Sequence, residues 1–447
     1  MRHGLRDQQR ERIEPGQESS HSRRALIAAC IGNFVEWYDF AVYGAFATAI
    51  ARTFFPSADQ TVGLLGAFAV FASAFLFRPL GAVLFGRRGD RAGRRPVLAT
   101  VIILMSLATA GIGMLPGSAA IGLLAPVLLV VLRCAQGLSV GGEAASASAF
   151  VIEHAPAGRR GTYGAWLWAT LALGLAAGIG TAALLAGLLP PAEVQTWGWR
   201  VAFLLALPLG LIGLYLRLRL DETPHFRAVA HARTLARRPL AETIRVGPGR
   251  ALVGFGLVAA ASLSFNTFFV FLPNHLVTSR GVPLPRALAA ALGGLAVVVV
   301  ASPALGRLSD RVGRKPLLAA GTLGLLALTV PAYLLIHRAG PVGLALGYLL
   351  VGAAIACFVL PSFLSELFPT RVRSTALALT YGMAAALLGG TAPLLDSLLL
   401  RRTGNPLAPA WYAMAVTAVA AAGLLATRET AFQPLDAPQV RTAQQAG

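Results

Sequence analysis

Apolar residues gather into twelve long runs separated by short polar, basic segments. They cover about residues 25–50, 61–86, 97–115, 119–153, 161–187, 199–218, 250–275, 287–306, 316–337, 341–367, 374–399 and 409–427. Most approach or exceed the ~20 residues that an α-helix needs to cross a hydrocarbon core. The first run is too long for a signal-peptide core and carries acids, which makes it a first span. The widest polar gap, 219–249, splits the runs six and six. The expected order is an N-terminal tail (1–24), a six-helix bundle (25–218), a linker (219–249), a second bundle (250–427) and a C-terminal tail (428–447).

The halves repeat. Gly86-Arg-Arg-Gly-Asp90-Arg91-Ala-Gly93-Arg94-Arg95-Pro96 and Gly306-Arg-Leu-Ser-Asp310-Arg311-Val-Gly313-Arg314-Lys315-Pro316 share the pattern G-x-x-x-D-R-x-G-R-[RK]-P, 220 residues apart. Glu153…Pro156…Arg160 matches Glu366…Pro369…Arg373 at an offset of 213, and Trp199-Arg200 matches Trp411-Tyr412 at 212. Landmarks in nearly one register indicate a parallel duplication about an axis along the membrane normal, a plan of transporters that rock one half against the other.

Composition agrees. Hydrophobic residues are 56% and charged residues 13%, against roughly 45–50% and 25% in soluble domains. The net charge of +19 does not point to nucleic acid, because the basic residues sit in the loops. With the N-terminus inside, 29 of the 38 Lys and Arg fall in inner segments, 7 in outer ones and 2 (Arg78, Arg133) mid-span. That bias predicts both termini in the cytoplasm. Cys30, Cys134 and Cys357 lie in apolar runs without metal-ligand spacing and read as small buried hydrophobes.

The candidate chemistry lies inside the spans. Glu36, Asp39 and Tyr43, spaced i, i+3, i+7, share one face of the first helix. Acids at that depth are costly alone and need a partner, a proton or water. The fourth run supplies a partner face of Arg133, Gln136, Val140 and Glu143. Arg133 is expected to pair with Asp39 or Glu36 and to be released for a carboxylate substrate on protonation, since its fork binds carboxylates and keeps its charge. A static tie between the helices is the alternative. Glu36, Asp39, Arg133 and Glu143 are the proton-coupling candidates. Tyr43, Arg78, Arg133, Gln136, Asn266 and Tyr381 are the substrate-binding candidates. Arg78 either lines the inner path or snorkels to the headgroups. Asn274, Trp166 and Trp168 read as cavity lining or as packing. His275 and Asp396 fall near outer helix ends, where solvation accounts for them. Gly174, Gly178 and the Gly389–Pro393 stretch read as close-packing and kink sites.

At the cytoplasmic ends, Asp90, Arg91, Arg94, Glu153, Arg160, Asp310, Arg311, Arg314, Glu366 and Arg373 form a candidate gate. Asp90 is expected to latch to the Arg371/Arg373 end of span eleven and Asp310 to the Arg159/Arg160 end of span five. Exposed ion pairs contribute little to stability and open easily. The other reading is that these loops only set topology. No metal cluster, catalytic triad or nucleotide loop stands out.

With these motifs the chain resembles the major facilitator superfamily, specifically its metabolite:proton symporter family. The resemblance is carried by Gly32-Asn33…Glu36-Trp37-Tyr38-Asp39-Phe40…Tyr43-Gly44, Arg78-Pro79-Leu80-Gly81, both Asp90/Asp310 loops, and Arg133…Gln136-Gly137…Gly141-Gly142-Glu143. It continues through Trp197-Gly198-Trp199-Arg200, Glu222-Thr223-Pro224 and Gly389-Gly390-Thr391-Ala392-Pro393. It implies twelve helices in two bundles, a central cavity and uptake of a small solute with protons. Relatives of this kind carry α-ketoglutarate, citrate, shikimate, other organic acids, or proline and betaine. Two departures bear on the pocket. Ala-Ala-Ser follows Glu143 where an aromatic and glycines are usual, and Tyr381-Gly382 replaces Tyr-Asn. The residues after Ala431 lack the heptads of an osmosensing coiled coil.

The expectation is an all-α membrane protein of twelve transmembrane helices in two pseudo-symmetric six-helix bundles, the major facilitator fold. It would sit in the inner membrane as a monomer and carry a small carboxylate or zwitterion with protons. It would use no cofactor but the proton gradient, and bind lipid but no nucleic acid. An efflux antiporter of the same fold and a non-transporting sensor are the alternatives; an enzyme is not expected.

Overall fold

The computed structural model describes residues 15–57, 59–81, 84–85, 94–141, 144–153, 155–156, 158–218, 248–338, 340–368 and 370–433. Regular structure among them is entirely helical. The long helices are α1 Pro15–Ala45, α2 Gln60–Leu76, α3 Arg94–Met114, α4 Leu124–Gly141, α5 Arg160–Leu188 and α6 Pro191–Tyr215. They continue with α7 Pro248–Arg280, α8 Leu284–Val312, α9 Arg314–Arg338, α10 Gly340–Leu367, α11 Ala376–Thr403 and α12 Ala408–Leu425. Ala47–Phe54 prolongs α1 and Ala144–Glu153 prolongs α4.

Each expected run contains one of these helices, with shifted ends. α1 starts at Pro15, and α6 starts at Pro191 and enters its span through a π turn, Val194–Gly198. Ser118–Ile121 is a separate turn, cut from α4 at Gly122, whose φ of 60° suits glycine. Ten of the described helices are long and apolar enough to cross a membrane, and α3 adds a shorter apolar stretch, Thr100–Met114. Leu107, Leu211, Val300, Leu323 and Val419 are each more than half exposed, as side chains facing lipid are.

Helices α1–α6 and α7–α12 form two bundles that meet where α5 lies along α8 and α2 approaches α11. Small residues allow the crossings. A Cβ on Gly178 of α5 would stand 2.6 Å from Ala41 Cβ and 2.7 Å from Tyr38 O, so α1 seats directly on α5. A Cβ on Gly390 would collide with the Phe75 ring of α2 in the other bundle. Gly137 of α4 faces the backbone of Ala74 in α2 with no room for a side chain.

Three helices of the second bundle are broken. α7 holds a π turn at Thr267–Phe271, α11 holds one at Ala385–Gly389, and α10 loses its helical form at Phe358 and Val359. Such breaks survive at membrane depth only where protein or water covers the freed backbone, and they often mark functional positions.

Gly137→Leu is expected to destabilise the protein by about 1–3 kcal/mol through overpacking. A fall in the thermal unfolding midpoint of the purified variant checks this, against an unchanged midpoint for an outward-facing control such as Leu323→Val.

Candidate functional site

Two ion pairs lie inside the first bundle. Arg133 Nη1 donates to Asp39 Oδ2 at 3.1 Å and to Gln136 Oε1 at 2.7 Å. Gln136 Nε2 donates to Asp39 Oδ1 at 2.8 Å, and Thr109 Oγ1 of α3 donates to the same oxygen at 2.7 Å. Asp39 and Arg133 are 1% and 0% exposed. Three side chains donate to this carboxylate, so its buried oxygens have hydrogen-bond partners. The guanidinium carbon of Arg133 lies 4.1 Å from the centroid of the Tyr43 ring, a cation–π contact. Tyr43 OH donates to Ala67 O at 3.0 Å. Arg133 Nε and Nη2 have no hydrogen-bond acceptor among the described residues.

The second pair joins Arg78 Nη2 to Glu36 Oε1 at 3.0 Å. Arg78 is 3% exposed and stacks on Phe75 at 4.2 Å and Phe40 at 4.7 Å. It therefore does not snorkel. The face shared by Glu36 and Asp39 is real, but each acid has its own arginine, from α4 for Asp39 and from just beyond α2 for Glu36.

A narrow cavity of about 40 Å³ lies between the bundles. Asn33 and Glu36 of α1, Trp168 of α5, Pro361 of α10 and Tyr381 of α11 line it. Asn33 is fixed by Leu167 O at 2.8 Å, and Trp168 Nε1 reaches Ile355 O at 3.3 Å, beside the break in α10. Of the expected substrate residues only Tyr381 lines this cavity. Arg78 stands behind Glu36, while Tyr43, Arg133 and Gln136 belong to the deeper Asp39 network. Asn266 donates to its own helix at Ser262 O, 2.9 Å, and does not line the cavity. Glu143 lies outside the described residues.

The end of the bundles that carries the repeated loops is locked by a charge network. Asp310 accepts from Gly161 N at 2.7 Å, Thr162 N at 2.9 Å and Thr162 Oγ1 at 2.7 Å. It thus caps the N-terminus of α5 in the opposite bundle, where free N–H groups and the helix dipole favour an anion. The expected partner was right in place but not in chemistry: the donors are backbone amides, not the Arg159/Arg160 guanidinium groups. Arg314 bridges Asp310 at 2.9 Å and Glu366 at 3.1 Å. The repeated Glu and Arg pair crosswise, Arg373 with Glu153 at 2.7 Å and Arg160 with Glu366 at 3.9 Å. Arg314, Glu366 and Arg373 are at most 2% exposed, so the lock is buried rather than the loose surface latch expected from sequence. Arg311 is exposed and forms no ion pair with the described residues. Asp90 and Arg91 lie outside the described residues, as does the Arg94 side chain.

Sequence reasoning missed Glu429. It accepts from Arg314 N at 2.8 Å and Lys315 N at 3.0 Å, capping α9, while Thr430 Oγ1 donates to Glu366 at 2.8 Å. Burial pushes its carboxyl up, but the amides of Ala431, Arg314, Lys315 and Thr430 outweigh this and hold it below the usual range. At the far end Asn274 Nδ2 donates to Gly44 O at 2.7 Å, and Thr48 Oγ1 donates to Asn274 Oδ1 at 3.0 Å. Both ends of the interface are therefore bridged, with the cavity between them.

Residues 29–393 match the family model of the Major Facilitator Superfamily. The chain belongs to that superfamily. It is a membrane transporter of the secondary class, not an enzyme. It is 38% identical over 428 residues to the glycine betaine/proline/ectoine/pipecolic acid transporter OusA of Dickeya dadantii, covering 92% of this chain and 84% of that one. It is 37% identical to the proline/betaine transporter of Escherichia coli K12 over 92% and 85% of the two chains. The ectoine/proline transporter ProP of Corynebacterium glutamicum is 37% identical, again over 92% and 85%. Among solved structures, the proton:xylose symporter XylE bound to 6-bromo-6-deoxy-D-glucose superposes with a TM-score of 0.73 over 94% of this chain and 98% of that one. At 20% identity it supports the fold alone.

Asp39→Ala leaves Arg133 charged and buried and is expected to lower stability by about 3–5 kcal/mol. Combining it with Arg133→Met removes both charges and is expected to recover much of the loss. Unfolding of the purified variants followed by tryptophan fluorescence checks this; a double variant no more stable than the single one contradicts the pairing.

Proposed function

We propose that this chain imports small zwitterions of the proline and betaine kind across the bacterial inner membrane, driven by protons. The observation that carries the reading is Glu36, buried at the wall of the inter-bundle cavity while bound to Arg78. A zwitterion presents the same two charges. Its carboxylate replaces Glu36 on Arg78, whose Nε has no hydrogen-bond acceptor among the described residues. Its cationic nitrogen meets Glu36 and the faces of Trp168 and Tyr381, which suit a quaternary ammonium. The substrates in the relatives' names agree with this over a general organic acid.

Asp39 is the proton acceptor in this reading. Ionised, it holds Arg133, Gln136 and Thr109, and with them α1, α3 and α4, in one arrangement. Protonation weakens the hold on Arg133 and lets these helices shift. The bundles 25–218 and 250–427 then rock about the cavity, joined by the linker 219–249. The basic end with the Asp310 and Glu366 network faces the cytoplasm, with both termini, and acts as the inner gate.

Reconstituted vesicles test this. Labelled glycine betaine and proline are expected to accumulate when the lumen is alkaline, and less when a protonophore collapses the gradient. Glu36→Gln and Arg78→Lys are expected to lower uptake by about tenfold or more, the order of losing one charged contact. Flux indifferent to the proton gradient, or confined to dicarboxylates, overturns the reading.

A further inference from the structure

Asp396 has no role in the sites described above. Its distance from the end of α11 suggested a solvated position, but it is 0% exposed. The reason is enclosure by other helices: Thr267 of α7 donates to Oδ2 at 2.7 Å, and Tyr333 of α9 and Tyr412 of α12 lie within electrostatic reach. Unlike Glu36 and Asp39, it has no arginine or lysine partner among the described residues. Asp396 Oδ1 has no hydrogen-bond partner there, nor have the Tyr333 and Tyr348 hydroxyls, although all three are buried. An acid at this depth without a cationic partner needs a proton or water beside it. Buried polar atoms without partners are rare enough to require a reason.

A polar line leads from this cluster to the far end of the bundle. The Tyr333 ring stacks on His337 at 4.7 Å, and His337 lies 5.5 Å from His275, centroid to centroid. His337 Nε2 is also without a partner. Ser279 Oγ stands 3.3 Å from His275 Nε2 at an exposed position, and Arg280 donates to His337 O at 2.6 Å. The titratable or charged groups facing Asp396 and this line are thus His275 and Arg280 on α7, Tyr333 and His337 on α9, Tyr348 on α10 and Tyr412 on α12. α2, which packs on the other side of α11, brings no titratable side chain over Gln60–Leu76.

We propose that Asp396 is a second proton-binding site, built into the C-terminal bundle, with Tyr333, His337 and His275 on the side that leads to the far end. Asp396 takes up one proton from water and ends as the neutral acid. The neutral acid supplies a hydroxyl donor where the cluster has unused tyrosine oxygens. A bare metal ion would find one carboxylate and neutral hydroxyls, and the described residues hold no cluster of three acids, histidines or cysteines to bind one. This site stands whether or not Asp39 drives transport.

Infrared spectroscopy of the full-length protein in lipid vesicles at neutral pH tests the proposal. The wild type is expected to show a protonated-carboxyl carbonyl band that shifts on exchange into heavy water. That band is lost in Asp396→Asn and shifts in Tyr333→Phe, which removes only one hydroxyl. A spectrum unchanged in Asp396→Asn overturns the proposal. So does a band that disappears when sodium replaces choline in the buffer, since a metal ion then takes the site. Should Asp396→Asn fail to fold, Tyr333→Phe decides in its place, and an unmoved band in that variant overturns the proposal.

Discussion

A charge at membrane depth has to be matched by another charge, a proton or water, and the first bundle is arranged around that requirement. Asp39 and Glu36 sit one turn apart on α1, and each meets its own arginine. The aromatic side chains around Arg78 and Arg133 shield both pairs from lipid and add cation–π attraction. Removing either partner leaves a bare ion in a dry interior. The pairs therefore bind α1 to its neighbours, and each is also a point where a proton or a competing charge can undo the packing.

The two pairs differ in surroundings, and the difference sorts their chemistry. Glu36 lines the inter-bundle cavity, the side on which the proposed solute would meet it. Asp39 is closed off by Gln136, Thr109 and Arg133, which suits the proposed role of proton acceptor rather than solute contact. At the basic end the same economy recurs with backbone groups. Asp310 and Glu429 each cap the start of a helix, and the duplicated Glu–Arg motif pairs across the interface, so opening this end exposes several buried charges to water together.

Much of this was legible in the sequence. Twelve apolar runs and two copies of one loop motif gave the architecture, because helix length and the loop pattern are local properties. The spacing of Glu36 and Asp39 put both on one face. Spacing does not say which neighbour faces them, and the assignment of Arg78 to Glu36 depends on how α2 crosses α4 at Gly137. Thr109 and Glu429 carry no signal of their own; a threonine in an apolar run and a glutamate in a tail are ordinary. Asp396 is buried despite its place near a helix end because counting residues from that end ignores Thr267, Tyr333 and Tyr412 of three other helices. Asp310 was given an arginine partner because the sequence displays side-chain charge and hides the partial charge of a helix N-terminus.

In the proposed cycle, the proton taken up by Asp39 makes transport uphill. Substrate exchange across vesicles with equal substrate on both sides, compared with accumulation under an imposed pH difference, separates movement from coupling. Asp39→Asn mimics the protonated acid and is expected to keep exchange while losing accumulation. Accumulation by Asp39→Asn at the wild-type level would contradict the account.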